Sequence, residues 1–153
     1  MTEEPDVSVI LTTYNGAAYI ECALDSLVRQ TIGLDRMQVL VVDDGSTDAT
    51  PAIVDRYAAE HPSFEVIHQP NSGGPAQPRN RALESVRGRY LFFLDHDDHV
   101  ANDALECMVR TADVNGTDVV VGRMKGVGGR NTPRVVFPRT LPRTDVFASS
   151  AYW

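Results

Sequence analysis

Four short apolar runs, each ending in a polar, turn-rich stretch, set the framework of this chain. Because they are rich in β-branched and aromatic residues, the runs are typical of strands buried in a sheet. The runs are VSVILT (7–12), MQVLVV (37–42), FEVIH (64–68) and YLFFL (90–94). The stretches at their ends are TTYNG, DDGSTD, QPNSGGP and DHDDH. Each predicted strand therefore leads into residues that are suited to ligand contacts.

Segments with a helical pattern separate these runs. An apolar stripe between Ile20 and Val28 predicts the first helix, and Ser46 or Thr47 is the expected N-cap of the second. A third helix is expected over 78–86, and a fourth is expected after residue 102. Further strands are predicted at 118–121 and 135–137.

The alternation of strands and helices predicts an α/β fold. We expect an open, largely parallel, Rossmann-like sheet with right-handed crossovers and helices on both faces. Ligands of such sheets bind in the crevice at the carboxyl ends of the strands. The four polar stretches should therefore lie together along one edge.

Composition limits the function classes. With 153 residues, 42% of them hydrophobic and 23% charged, the chain is typical of one soluble domain. The acidic start has no apolar leader and the apolar runs are strand-sized, so we expect a cytoplasmic protein with no membrane span. The net charge of −7 argues against nucleic acid as a partner.

One stretch departs from this acidic character. Between Val119 and Thr144 there are six basic residues and no acidic residue. Such a stretch could face an anionic ligand or polymer, or could be the solvated face of a loop.

Two motifs at the first and second strand ends have features that suit a nucleotide. No glycine-rich dinucleotide fingerprint or Walker A loop is present. Tyr14 could stack on a base, with Thr12 and Asn15 hydrogen-bonding nearby, although a helix-capping loop has the same composition. Of the adjacent pair Asp43 and Asp44, one should brace the loop, and Asp44 should reach the crevice and accept an N–H group from a base.

The three carboxylates of the cluster Asp95-His96-Asp97-Asp98 must stay solvated or bind a cation. Carboxylate oxygens suit Mg²⁺ or Mn²⁺, and these ions usually take one or two carboxylates together with substrate phosphates. His96 is expected to be a wall residue, because an extended backbone would turn it away from Asp95 and Asp97. A zinc site with His96 and His99 is the alternative, but it lacks supporting spacing.

With these stretches in place, the chain resembles family 2 glycosyltransferases, a GT-A-fold class that uses nucleotide-sugar donors. The resemblance rests on VSVILTTYNG, VVDDGSTDAT, NSGGPAQPRNRAL and GRYLFFLDHDD, in that order. It implies that the donor site contains Thr12, Tyr14, Asn15, Asp44, Asn71, Arg79 and Asp95. It also implies that Asp97 binds Mn²⁺ or Mg²⁺ as the second acid of a D-x-D motif, with Asp95 beside it. UDP is the expected nucleotide.

The resemblance extends to mechanism and organisation. It implies transfer with inversion to a glycan or polymer acceptor. The segment NSGGPAQPRN is similar in sequence to members of the subgroup that acts on anionic cell-wall or capsule polymers. The expected domains are 1–122 for the donor and 123–153 for the start of a truncated acceptor side. No catalytic base is identified. Peripheral membrane attachment of a full-length enzyme and self-association are left open.

Two rival functions remain at this point. One is a nucleotide-sugar-binding module that lacks the acceptor half and the base. The other is a haloacid dehalogenase-like phosphatase, which FFLDHDDHV loosely imitates. Against the phosphatase, the motif lies far from the start of the domain, and Lys125 is the sole lysine that could bind phosphate.

Overall fold

The computed structural model describes residues 4–122. The strands are β1 (Val7–Thr13), β2 (Met37–Asp43), β3 (Phe64–His68) and β4 (Tyr90–Asp95). The helices are α1 (Ile20–Val28), α2 (Thr50–Glu60), α3 (Ala76–Leu83) and α4 (Ala104–Asn115), with a short 3-10 helix at Leu34–Arg36. The chain divides into two units, Met1–Glu106 and Cys107–Trp153, and the whole sheet lies in the first. Within 4–122, no helix is both long and apolar enough to cross a membrane.

The four strands form one parallel sheet in the order β3-β2-β1-β4. Every residue of β1 and β2 is buried, as expected for central strands covered on both faces. The outer strands β3 and β4 are partly exposed. The predicted parallel α/β architecture is therefore confirmed.

The strand order reverses direction between β1 and β4. From β1 to β3 the chain moves one way across the sheet, and right-handed crossovers then place α1 and α2 on one face. The connection from β3 to β4 runs back across the sheet, so α3 lies on the other face, where Ala82 packs with Ile10, Leu40 and Val42. A crevice forms at such a reversal, outside the carboxyl ends of the strands.

Strand register brings the polar strand ends level with one another. Thr12 at the end of β1 lies opposite Asp95 at the end of β4, and Thr13 lies opposite Asp43 at the end of β2. The buried parts of the strands thus set the relative heights of the side chains that border the crevice.

Three expectations about individual elements are wrong. The fifth strand is absent within the described residues, where 118–121 is irregular and Val121 is exposed. Helix α3 begins two residues earlier than predicted. Neither Ser46 nor Thr47 caps α2, because the N–H of Thr50 donates instead to Asp48 Oδ1 at 2.9 Å. The predicted strand at 135–137 lies outside the described residues.

Candidate functional site

A cavity of about 510 Å³ opens at the carboxyl ends of the strands. This volume is within the range of roughly 300–1,000 Å³ that small-molecule pockets occupy. Seven of the eight residues that the sequence singles out line it: Thr12, Tyr14, Asp44, Asn71, Arg79, Asp95 and Asp97. They come from the ends of all four strands and from α3, so the topology assembles a site from distant parts of the sequence.

Asn15 is the eighth residue and does not line the cavity. Its backbone is left-handed, with φ of 50°, and its N–H donates to Ser46 Oγ at 2.9 Å. Its side-chain Oδ1 accepts the N–H of Thr47 at 2.8 Å. Asn15 therefore joins the loop after β1 to the loop after β2, which fixes the position of its neighbour Tyr14.

Asp43 lies inside the protein and braces the loop after β2. Its Oδ1 accepts the N–H of Ser46 at 3.1 Å, and its Oδ2 lies 2.9 Å from His68 Nδ1. The other ring nitrogen of His68 lies 3.0 Å from Asp55 Oδ1 on α2. The hydrogen bonds with Asp43 and Asp55 raise the pKa of His68 above its ordinary value. This chain of three side chains connects β2, β3 and α2, and none of the three is part of the cavity lining.

Asp44 lines the cavity and is 4% exposed. Gln69 Nε2 donates to its Oδ1 at 2.6 Å, and Ser72 Oγ donates to its Oδ2 at 2.8 Å. The N–H of Ser72 lies between the two oxygens, at 3.1 and 3.0 Å. Burial alone would raise the pKa of Asp44, but the hydrogen bonds from Ser72 and Gln69 outweigh burial and lower it. Asp44 is therefore an anion with a fixed orientation.

A glycine allows the loops after β2 and β3 to approach each other. Gly45 has φ of +77°, and a Cβ atom there would lie 2.6 Å from the backbone nitrogen of Asn71. Asn71 Nδ2 donates to the Asp44 carbonyl at 3.0 Å, and its Oδ1 accepts the N–H of Gly73 at 3.0 Å. Asn71 thus holds the glycine-containing loop in place beside Asp44.

The acidic end of the cavity is more open. The Asp95 side chain is 54% exposed and pairs with Arg79 Nη2 at 2.6 Å. The guanidinium of Arg79 also lies over the ring of Phe93, 5.7 Å from its centroid. Asp97 is exposed at the cavity wall. Arg79 is thereby held at the boundary between α3 and the acidic turn.

His96 also lines the cavity, but the reasoning that made it a wall residue is wrong. The backbone does not stay extended after Asp95, because the N–H of Asp98 donates to the Asp95 carbonyl at 3.0 Å and closes a turn. The strand alternation therefore ends at Asp95. The ring of His96 lies against Gly16, where a Cβ atom would come within 2.8 Å of His96 Cδ2.

The described residues fit one kind of metal site and give no support to another. Within 4–122 no group of three or more His, Cys, Asp or Glu side chains is arranged to hold a metal ion. An all-protein zinc centre with His96 and His99 therefore has no support among these residues. Asp95 and Asp97 do offer two carboxylates to one cavity. Two carboxylates suit Mg²⁺ or Mn²⁺ when substrate phosphates and water complete the coordination.

Sequence reasoning missed three residues of this site. Gln69 and Ser72 orient Asp44, and Thr13 lines the cavity with a buried Oγ1 that has no hydrogen-bond partner among the described residues. A usable signal for Thr13 was its place at the end of β1, directly before Tyr14. Gln69 and Ser72 lie close to Asn71 in sequence, but their pairing with Asp44 depends on how the loops after β2 and β3 approach each other across Gly45.

Comparison with known proteins places this arrangement in a family. A model described as glycosyl transferase family 2 matches residues 8–147. A poly(ribitol-phosphate) beta-glucosyltransferase of Bacillus spizizenii is 35% identical over 144 residues, which cover 94% of this chain and 23% of that protein. This chain thus spans about a quarter of the length of that relative.

Solved structures show the same fold. TarS 1–349 of S. aureus in complex with UDP-GlcNAc matches with a TM-score of 0.78 and 39% identity, over 84% of this chain and 37% of that chain. A mannosyltransferase of Pyrobaculum calidifontis in complex with GDP-Man and Mn²⁺ matches with a TM-score of 0.64 and 37% identity, over 71% and 32% of the two chains. The agreement of the family model, the sequence identities and the fold shows that this chain belongs to glycosyl transferase family 2.

Proposed function

We propose that this chain carries the donor site of a glycosyltransferase. Residues 1–122 bind a nucleoside-diphosphate sugar, with UDP as the nucleotide, and residues 123–153 begin the acceptor side. The observation that carries the proposal is the convergence of seven side chains from four strand ends and α3 on one cavity. The likeness to a transferase structure that contains UDP-GlcNAc supports it.

The nucleobase lies, in this proposal, at the β1–β2 side of the cavity. Tyr14 is 48% exposed, which leaves a ring face free to stack on a base. Asp44 is an anion of fixed orientation that accepts an N–H group of the base, a charge-assisted hydrogen bond. Thr12, near the end of β1, also lines the cavity. The side chains of the protein therefore supply all of the groups that contact the base.

The diphosphate lies toward β4, where the charges require a cation. Among the described residues, the cavity lining includes three carboxylates, those of Asp44, Asp95 and Asp97, and one guanidinium, that of Arg79. A diphosphate alone would be repelled by this arrangement. Asp97, with Asp95 beside it, would hold Mn²⁺ or Mg²⁺, and Arg79 would face the phosphate oxygens. When bound, such an ion supplies a Lewis acid that neutralises charge on the leaving nucleoside diphosphate.

For the transfer itself we propose displacement with inversion onto a glycan or anionic polymer, in the cytoplasm. The relative from Bacillus spizizenii, named for poly(ribitol-phosphate), supports a phosphate-containing acceptor. The basic residues between Arg123 and Arg143 are the segment that would meet it, and they lie outside the described residues. A carboxylate base on the acceptor side takes the proton of the acceptor hydroxyl in this scheme.

Thermal unfolding with UDP-GlcNAc, UDP-glucose and GDP-mannose, each with and without Mn²⁺, tests the donor site. A donor at about 100 times its Kd should stabilise the protein by about 2.7 kcal/mol. Parallel assays of sugar transfer and donor hydrolysis separate a working transferase from a module that only binds the donor. If no nucleotide sugar stabilises the protein either with or without Mn²⁺, the proposed donor site is wrong.

A further inference from the structure

The hydrogen bonds around Asp44 limit what this carboxylate can still accept. An ionised carboxylate has about four acceptor positions. Gln69 Nε2 takes one on Oδ1, Ser72 Oγ takes one on Oδ2, and the N–H of Ser72 lies between the two oxygens. Three donors from the described residues therefore occupy the group, and they leave one position open.

The hydroxyl of Ser72 also lies 3.1 Å from the Gly74 carbonyl, so the direction of its proton matters. Asp44 Oδ2 is the nearer acceptor, at 2.8 Å, and it carries a charge. If the proton pointed to Gly74, two oxygen lone pairs would face each other at 2.8 Å beside an anion. The proton therefore points to Asp44, and Ser72 fills a position on Oδ2.

Nucleobases differ in how many donors they offer to such a group. Uracil presents one ring N–H between two carbonyl oxygens. Guanine presents a ring N–H beside an exocyclic amino group, and this pair of donors requires both oxygens of a carboxylate. Cytosine and adenine present an exocyclic amino group beside a ring nitrogen, and the anion repels the lone pair of that nitrogen. A carboxylate with one open position thus matches uracil.

We propose that Ser72, together with Gln69, is a specificity-determining residue that makes the donor site select uracil over guanine. Together with the backbone N–H of Ser72, the two side chains fill all but one of the acceptor positions of Asp44 and leave a single-acceptor group at the cavity wall. This inference rests on the proposed function, because it assumes that the base contacts Asp44. Neither side chain needs to touch the nucleotide, so both are positioning residues.

The test is the ratio of the Kd values for GDP and UDP, measured by calorimetry with Mn²⁺ present. Ser72→Ala removes the hydroxyl donor but keeps the backbone N–H, and Gln69→Met removes the donor on Oδ1. We expect each variant to lower the ratio by about tenfold, since a hydrogen bond to a charged group contributes at least that factor. Ser63→Ala is the matched control, because its buried hydroxyl lies outside the cavity lining.

A general loosening of the loop would weaken both nucleotides equally, so the ratio separates selectivity from damage to the fold. An unchanged ratio in both variants, with UDP still bound, overturns the inference and leaves the donor site intact. If wild-type protein binds neither nucleotide, the proposed function fails and the inference fails with it. Should Ser72→Ala not fold, the ratio in Gln69→Met decides.

Discussion

The two ends of the cavity are built in opposite ways. At the β2 end, Asp44 is 4% exposed and already accepts hydrogen bonds from Gln69 and Ser72. At the β4 end, the Asp95 side chain is 54% exposed and pairs with Arg79, while Asp97 is exposed to solvent. One carboxylate is held in a single orientation by the protein, and the others are left accessible.

This difference follows from how each carboxylate is stabilised when no ligand is bound. A buried charge is tolerated only if it is hydrogen-bonded, and neighbouring residues of the protein donate these hydrogen bonds to Asp44. Exposed carboxylates stay solvated, and their mutual repulsion is screened by water. The carboxylate at the β2 end therefore has its hydrogen bonds without a ligand, whereas the carboxylates at the β4 end are, in the proposed function, completed by a cation and phosphates.

Asp44→Asn should have the largest effect on binding and stability, because it alters the β2 end of the cavity, where the protein itself supplies the hydrogen bonds to the carboxylate. The amide keeps the shape but turns an NH₂ group toward the donors of Ser72 or Gln69. We expect UDP binding to weaken by about ten- to a hundredfold, with or without Mn²⁺. Urea denaturation should also show a loss of about 1–3 kcal/mol of stability. Unchanged UDP affinity would remove Asp44 from the base-binding role.

Asp97→Asn should affect only the other end. We expect the gain in UDP affinity that Mn²⁺ provides to disappear, while metal-free binding stays near the wild-type value. The free energy of unfolding should change by less than about 0.5 kcal/mol, as for most surface substitutions. Asp98→Asn is the control, because Asp98 is also exposed but is not part of the cavity lining. Loss of the Mn²⁺ effect in Asp98→Asn instead would reassign the metal ligand.

Thr13→Val should separate the effect on ligand binding from the effect on stability. The hydroxyl of Thr13 is buried, lines the cavity and has no partner among the described residues. Removing it should leave stability unchanged or raise it slightly, and should weaken UDP-sugar binding by about three- to tenfold. Ser63→Ala removes a comparable hydroxyl outside the cavity lining and should leave binding unchanged. Equal affinities for wild type and Thr13→Val would show that no donor group meets this hydroxyl.

His68 should give the smallest effect, a pH dependence of stability. Its pKa is raised in the folded protein above the ordinary value of 6.5, mainly by the hydrogen bond with Asp43. Its contribution is therefore fully present below pH 6.5 and is lost as the pH rises through the raised value. Because the ring is 44% exposed, we expect less than about 1 kcal/mol. Urea denaturation of wild type and His68→Gln should differ more at about pH 6 than at about pH 8.5; a constant difference contradicts this.

Much of the fold could be predicted because the central strands carry a local signal. β1 and β2 are buried on both faces and read as continuous apolar runs. The run Val119–Val121 has the same composition but forms no strand within the described residues. Strand formation needs a neighbouring backbone as well as β propensity, and composition carries no information about that neighbour.

The candidate site could be predicted as a set of residues but not as a set of contacts. The carboxyl ends of parallel strands meet at one edge, which is why Tyr14, Asp44 and Asp97 could be grouped from sequence. The bracing of Asp44 by Ser72 depends on how two loops approach each other across Gly45. Sequence patterns along one segment do not report such contacts between segments.

Calorimetric titration with UMP and with UDP, each with and without Mn²⁺, tests most directly whether the two ends are built differently. UMP lacks the second phosphate, so its binding should rest on the β2 end and should be nearly independent of Mn²⁺. UDP should gain at least about tenfold in affinity when Mn²⁺ is added, equivalent to about 1.4 kcal/mol. An equal dependence of both nucleotides on Mn²⁺, or no dependence of either, would contradict the account.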